Sequence, residues 1–138
     1  MTRSKVTARV GQCRAQSLRN IMEVRNMFEL NCAGGTVKFK FEDGPYPITQ
    51  ADKLKNAPGV YVIWCRSSSR DTRGTLIDVG QSDNVRDRVM SHDRKDCWSK
   101  HCRQESLEVA ATYIKDEQQR LNLEKQIREQ CQPPCGER

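Results

Sequence analysis

The heptapeptide Gly59-Val60-Tyr61-Val62-Ile63-Trp64-Cys65 constrains this chain more than any other segment. It is an unbroken apolar run, rich in β-branched and aromatic residues, and it reads as a central β-strand. A polar loop carrying three arginines follows over residues 66–75, and Thr75-Leu76-Ile77-Asp78-Val79 returns as a second strand ending at Gly80. The two strands are expected to pair as an antiparallel hairpin. A helix is expected from Ser82 or Asp83 to about His92, followed by an irregular stretch to Glu105. A third strand follows over Leu107 to Ile114, then a last helix from Asp116 to about Cys131, which Pro133-Pro134 terminates.

Ahead of the heptapeptide the signals are shorter. Leu18, Ile21, Met22 and Phe28 sit close to helical spacing behind Ser17, a residue suited to N-capping, which predicts a helix over residues 15–30. Gly34-Gly35 ends it. Val37, Phe39 and Phe41 then alternate with Lys38, Lys40 and Glu42, the period of a half-buried strand, which a turn at Gly44-Pro45 closes. Thr49 and Asp52 suggest a short capped helix to about Lys55 before Pro58 extends the chain. The expected class is α+β, a small sheet covered by helices, with residues 1–56 as a basic extension and 57–138 as the functional domain.

At 138 residues the chain suffices for one compact domain. Its formal net charge of +6 is concentrated at the start, where Arg3, Lys5, Arg9, Arg14, Arg19 and Arg25 face one acid, Glu23. Such an arm either touches a phosphate backbone or is simply a solvated tail. No apolar stretch is long enough to span a bilayer, and the N-terminus lacks a signal-peptide core, so a cytoplasmic protein is expected. The seven cysteines form no C-x-x-C pair and read mainly as reduced thiols.

Two helices offer chemistry. In the first, Asn84, Arg88 and His92 recur every four residues beside an apolar stripe of Val85 and Val89. A guanidinium there can brace charge on a phosphoryl group, and an imidazole can relay a proton; an ordinary amphipathic helix has the same spacing. In the last helix, Glu124 stands between Arg120 and Arg128, placed either for i, i+4 salt bridges or as an oxygen ligand for a hard divalent cation.

Gly59-Val60-Tyr61, Asp78-Val79-Gly80, Asn84 to Arg88, His92, Glu124 and Pro133-Pro134 together resemble the GIY-YIG nuclease pattern, in order and in structural context, over residues 57–138. The resemblance implies a three-stranded antiparallel sheet flanked by helices and metal-dependent hydrolysis of DNA phosphodiesters, with Mg²⁺ or Mn²⁺ as cofactor. It implies that Tyr61 activates or orients the attacking water, Arg88 stabilises the pentacovalent phosphate, His92 transfers or positions a proton, and Glu124 anchors the metal. Arg86, Arg94, Lys95 and Trp98 are the candidate DNA contacts, with Trp98 able to stack on a base or to serve the core.

Three positions depart from the pattern. Asp78 stands where a tyrosine is usual, Gln81 where a lysine is frequent, and Gly136 where an asparagine is usual. Asp78 could act as a general base or second oxygen ligand, or could merely accept hydrogen bonds from a neighbouring loop. Two other functions fit the same chain. One is a DNA-binding module that keeps the fold without cutting. The other is a zinc-stabilised interaction domain using some of Cys97, His101, Cys102, Cys131 and Cys135, whose spacings match no standard zinc pattern.

Overall fold

The computed structural model of the protein describes residues 27–32, 35–66 and 73–136. Helices lie against a sheet of six strands, so the class is α+β. In chain order the strands are β1 (Met27–Cys32), β2 (Gly35–Lys40), β3 (Asp43–Pro47), β4 (Gly59–Arg66), β5 (Arg73–Ser82) and β6 (Leu107–Tyr113). Their order across the sheet is β2-β1-β5-β4-β6-β3. The helices are α1 (Val85–Met90), α2 (Lys95–His101) and α3 (Glu117–Cys131), with 3₁₀ turns at Ile48–Lys53 and Gln104–Ser106.

The apolar run is β4, and it is central. It pairs antiparallel with β5 from Gly59↔Ser82 to Arg66↔Gly74, and with β6 from Gly59↔Tyr113 to Cys65↔Leu107. Both faces are covered, which is why the run does not alternate. Tyr61 and Ile63 pack with Val85, Val89 and Trp98 on one face, while Val60, Val62 and Trp64 pack with Ile127 and Cys131 on the other.

The sheet corrects the three-strand expectation. β4, β5 and β6 form the expected antiparallel core, but β1 adds to β5 in parallel, with Glu29↔Arg73 to Asn31↔Thr75, and carries β2 as a hairpin partner. β3 closes the opposite edge by pairing with β6. Strands from both sides of residue 56 are thus hydrogen-bonded in one sheet.

Several local expectations change for tertiary reasons. The helix expected over residues 15–30 lies outside the described residues as far as residue 26, and its last part is β1, where ladder pairing overrides a helical spacing. Gly44-Pro45 lies within β3 instead of closing the preceding strand. An edge strand tolerates proline, and the ladder shifts register between Asp43 and Tyr46. Gly44 has φ +97°, and a Cβ there would stand 2.7 Å from the Val109 carbonyl oxygen, so only glycine fits. The Thr49 segment is a 3₁₀ turn without a side-chain cap. The irregular stretch contains α2, whose Trp98 is buried. Asp116 does cap α3, accepting from the Gln119 backbone N–H at 2.9 Å.

A bulge in the central hairpin matters most for the site. Ile63 pairs with Asp78 and Trp64 with Leu76, leaving Ile77 as the extra residue. Bulges reset side-chain alternation. Leu76 and Val79 therefore both join the α3 face, whereas Ile77 joins the opposite core and Asp78 meets Trp98 and Arg94.

Six cysteines are joined as Cys32–Cys131, Cys65–Cys102 and Cys97–Cys135, correcting the expectation of reduced thiols. The partners are 99, 37 and 38 residues apart, so sequence spacing could not reveal the pairing. Among the described residues no helix is long and apolar enough to cross a membrane.

Candidate functional site

A cleft of about 920 Å³ opens beside Gly80 and Gln81 near the end of β5, between Arg88 of α1 and the Leu121, Glu124, Lys125 and Arg128 face of α3. Tyr61, Arg94, Glu129 and Gln132 add to its polar lining. Of the residues singled out from sequence, Tyr61, Arg88, Arg94 and Glu124 are brought together here.

Tyr61 is almost wholly buried, with its hydroxyl reaching the cleft over Gly80. A Cβ at position 80 would lie 2.3 Å from the Tyr61 Oη, so the glycine makes room for the phenol. Burial raises the Tyr61 pKa to about 12, with the Arg88 cation opposing the rise. The phenol is therefore neutral at physiological pH.

His92 Nε2 lies 2.7 Å from the Tyr61 Oη. Its Nδ1 accepts the Arg94 backbone N–H at 3.0 Å. A backbone N–H can only donate, so neutral His92 carries its proton on Nε2 and donates it to the Tyr61 oxygen. The Tyr61 O–H is thereby left to point into the cleft. Burial, with Arg94 and Arg88 nearby, depresses the His92 pKa from 6.5 to about 4. His92 is thus a neutral buttress for Tyr61 from within the core and does not line the cleft.

Arg88 is the more solvent-facing cation, held by Asp93 at 3.3 Å. Asp93 is highly exposed, and a backbone hydrogen bond, with Arg88 nearby, lowers its pKa. Such a surface pair gives way readily to a stronger anion.

Asp78 is fully buried and surrounded by donors. Its Oδ2 accepts from Arg94 Nε and Trp98 Nε1, each at 2.8 Å. Its Oδ1 accepts from the Val79 backbone N–H at 2.8 Å and from Arg94 and Arg128 Nη2 at 3.3 and 3.4 Å. Both oxygens are engaged, so Asp78 fits neither a general base nor a second metal ligand. It instead fixes two cleft arginines. Gly136 is part of the same arrangement, since a Cβ there would stand 2.5 Å from the Arg128 guanidinium and 2.8 Å from Asp78 Oδ1.

Glu124 is half-buried and paired with Arg128 at 3.5 Å. Burial raises its pKa, with the Arg128 cation opposing the rise. The second salt bridge read from the spacing is not made. Arg120 turns away to Gln81 at 3.0 Å, Asp83 at 2.7 Å and the Ile114 and Lys115 carbonyls, fastening the start of α3 to the end of β5. Gln81, at the position where a lysine was expected, is thus tied up as the acceptor of a buried arginine.

Three expected DNA contacts stand elsewhere. Trp98 is 1% exposed, wedged beside His92 at 4.8 Å between ring centroids, and offers no face for a base. Lys95 turns to the Met90 carbonyl and borders a separate hollow beside Ile48 and Trp98. Arg86 does not line the cleft. Conversely, Arg128 and Lys125 line it but were read only as helix-surface charges or passed over. The available signal was the i, i+4 relation of Glu124 and Arg128, which salt bridges and ligand sites share.

No protein-family model matches the chain, and no curated protein or solved structure matches it.

Proposed function

We propose that the protein is a metal-dependent endonuclease of GIY-YIG type that hydrolyses DNA phosphodiester bonds. The observation that carries this reading is the convergence of a buried tyrosine, three arginines and the carboxylates of Glu124 and Glu129 in a single cleft. Arginines supply the planar, bidentate donors that a phosphate diester demands.

Arg88, Arg94 and Arg128 would bind and orient the phosphate and brace the charge that builds on it during attack. Tyr61, donating its hydroxyl into the cleft and held by His92, would orient the attacking water. Its pKa of about 12 argues for positioning by the phenol, since little phenolate exists near neutrality. Asp78 acts through Arg94 and Arg128 and touches no substrate.

Glu124 fits the implied cation in donor type, since Mg²⁺ takes oxygen ligands and commonly relies on one or two carboxylates plus water and substrate phosphates. A bound Mg²⁺ or Mn²⁺ supplies Lewis-acid polarisation of the phosphate. Glu124 would hold it after releasing Arg128, which remains anchored to the Val79 and Cys135 carbonyls. Because burial raises its pKa, Glu124 would hold a cation better as pH rises.

A second reading is favoured by the Glu124–Arg128 pair itself: a cleft that binds DNA phosphate without cutting. One assay separates them. Supercoiled, linear, single-stranded and flapped DNA are incubated with Mg²⁺ or Mn²⁺ and the wild type, Arg88→Ala or Glu124→Ala protein. Nicking that Glu124→Ala abolishes supports the enzyme. Binding that Arg88→Ala weakens, with no cleavage of any substrate under either metal, replaces it with the binding module.

A further inference from the structure

Behind the cleft wall that Arg128 forms, Cys97 and His101 stand four residues apart on α2, and Cys135 lies against them from the chain after α3. The Cys97 and Cys135 sulfurs and a His101 ring nitrogen all lie within 4.8 Å of one another. Cys135 is buried and its backbone N–H donates to the Ile77 carbonyl at 3.0 Å, so the tail is held to the sheet independently of its sulfur. Cys97 is half-buried and His101 exposed, leaving the nitrogen side open to solvent.

We propose that Cys97, His101 and Cys135 form a thiol site with two exclusive states, a disulfide under oxidising conditions and a zinc site under reducing ones. Two thiolates and an imidazole are the ligand set Zn²⁺ prefers, and water completes a tetrahedron. Exclusivity follows from bonding: Cys97 and Cys135 joined as a disulfide carry no thiolate, and the thiolate is the form that binds zinc. The disulfide must therefore open before the metal enters.

The exchange balances with a low-molecular-weight thiol RSH. The Cys97–Cys135 disulfide and two RSH give two cysteine thiols and one RSSR, and Zn²⁺ then displaces both thiol protons into solvent. RSSR is the oxidant of the reverse step, which expels the zinc. Among the described residues the other two disulfides have no comparable group of ligands. The site is independent of the nuclease reading, and a reducing compartment would favour the zinc state.

The full chain, reduced with a phosphine under nitrogen, is titrated with Zn²⁺ against a chromogenic chelator, and free thiols are then alkylated and mapped by mass spectrometry. One equivalent of tightly bound zinc is expected, protecting Cys97 and Cys135 while Cys13, Cys32, Cys65, Cys102 and Cys131 are alkylated. This readout needs no variant. His101→Ala, a change at an exposed position, should weaken binding by at least roughly tenfold, the loss typical even of partners behind a ligand. Prior oxidation with RSSR should abolish binding. Zinc that protects all seven cysteines equally, that binds the oxidised chain as tightly, or that ignores His101→Ala overturns the proposal.

Discussion

Held beneath the cleft by the Tyr61 hydroxyl and the Arg94 backbone, His92 is neutral in the folded protein down to pH about 4, whereas the unfolded chain protonates it near 6.5. Over that interval the unfolded state binds the extra proton, so stability falls as pH drops. The shift corresponds to roughly 3 kcal/mol, and His92→Gln should remove most of it. Urea unfolding at pH 4.5 and 7 measures this: the wild type should lose markedly more stability in acid than the variant. Gly80→Ala tests the opposite kind of constraint. The added methyl meets the Tyr61 Oη at 2.3 Å, so it should displace the phenol and cost about 1–3 kcal/mol in urea. DNA cleavage should fall with it. His92 was found in the sequence through its one-turn spacing from Arg88, but its role was not legible there. The spacing implied a cleft residue able to carry a proton, and burial among cations makes it a neutral support.

At the scale of elements, α3 is attached to the sheet by polar as well as apolar contacts. Ile127 and Cys131 pack on the Val60, Val62 and Val79 face, and the buried Arg120 bridges to Gln81 and Asp83. Arg120→Ala should cost about 2–4 kcal/mol by urea unfolding, because it strands two carbonyls and the Gln81 amide oxygen without their donor. It should also loosen the α3 face carrying Glu124 and Arg128, reducing cleavage. β4, the β4–β5 hairpin, β6 and α3 were readable because each has a long periodic or apolar signature with clear ends. β1 and β3 were not, because each owes its strand form to a neighbour: β1 to β2 and β5, β3 to β6. α2 is only seven residues long and carries no sustained apolar stripe, so its helix depends on burying Trp98.

For the molecule as a whole, charge and cleft belong together. The chain carries +6, and Arg88, Arg94, Lys125 and Arg128 focus positive charge on the side that holds Glu124. DNA affinity should therefore fall as salt rises, and Arg88→Ala should reduce the slope of log affinity against log salt by about 0.9 on duplex DNA. Fluorescence anisotropy on labelled duplex between low and moderate salt measures the slope; an unchanged slope would remove Arg88 from the phosphate contacts. Sequence alone determined the central strand, its hairpin and the α+β class, and placed Glu124 and Arg128 one turn apart on the last helix, since these depend on local periodicity, turn residues and charge spacing. The tertiary structure decided the rest. The bulge at Ile77 turned Asp78 from a candidate catalyst into the anchor of Arg94 and Arg128, and joined cysteines far apart in the chain were set by packing. Both depend on which residues meet across the sheet, and short-range pattern carries no record of that.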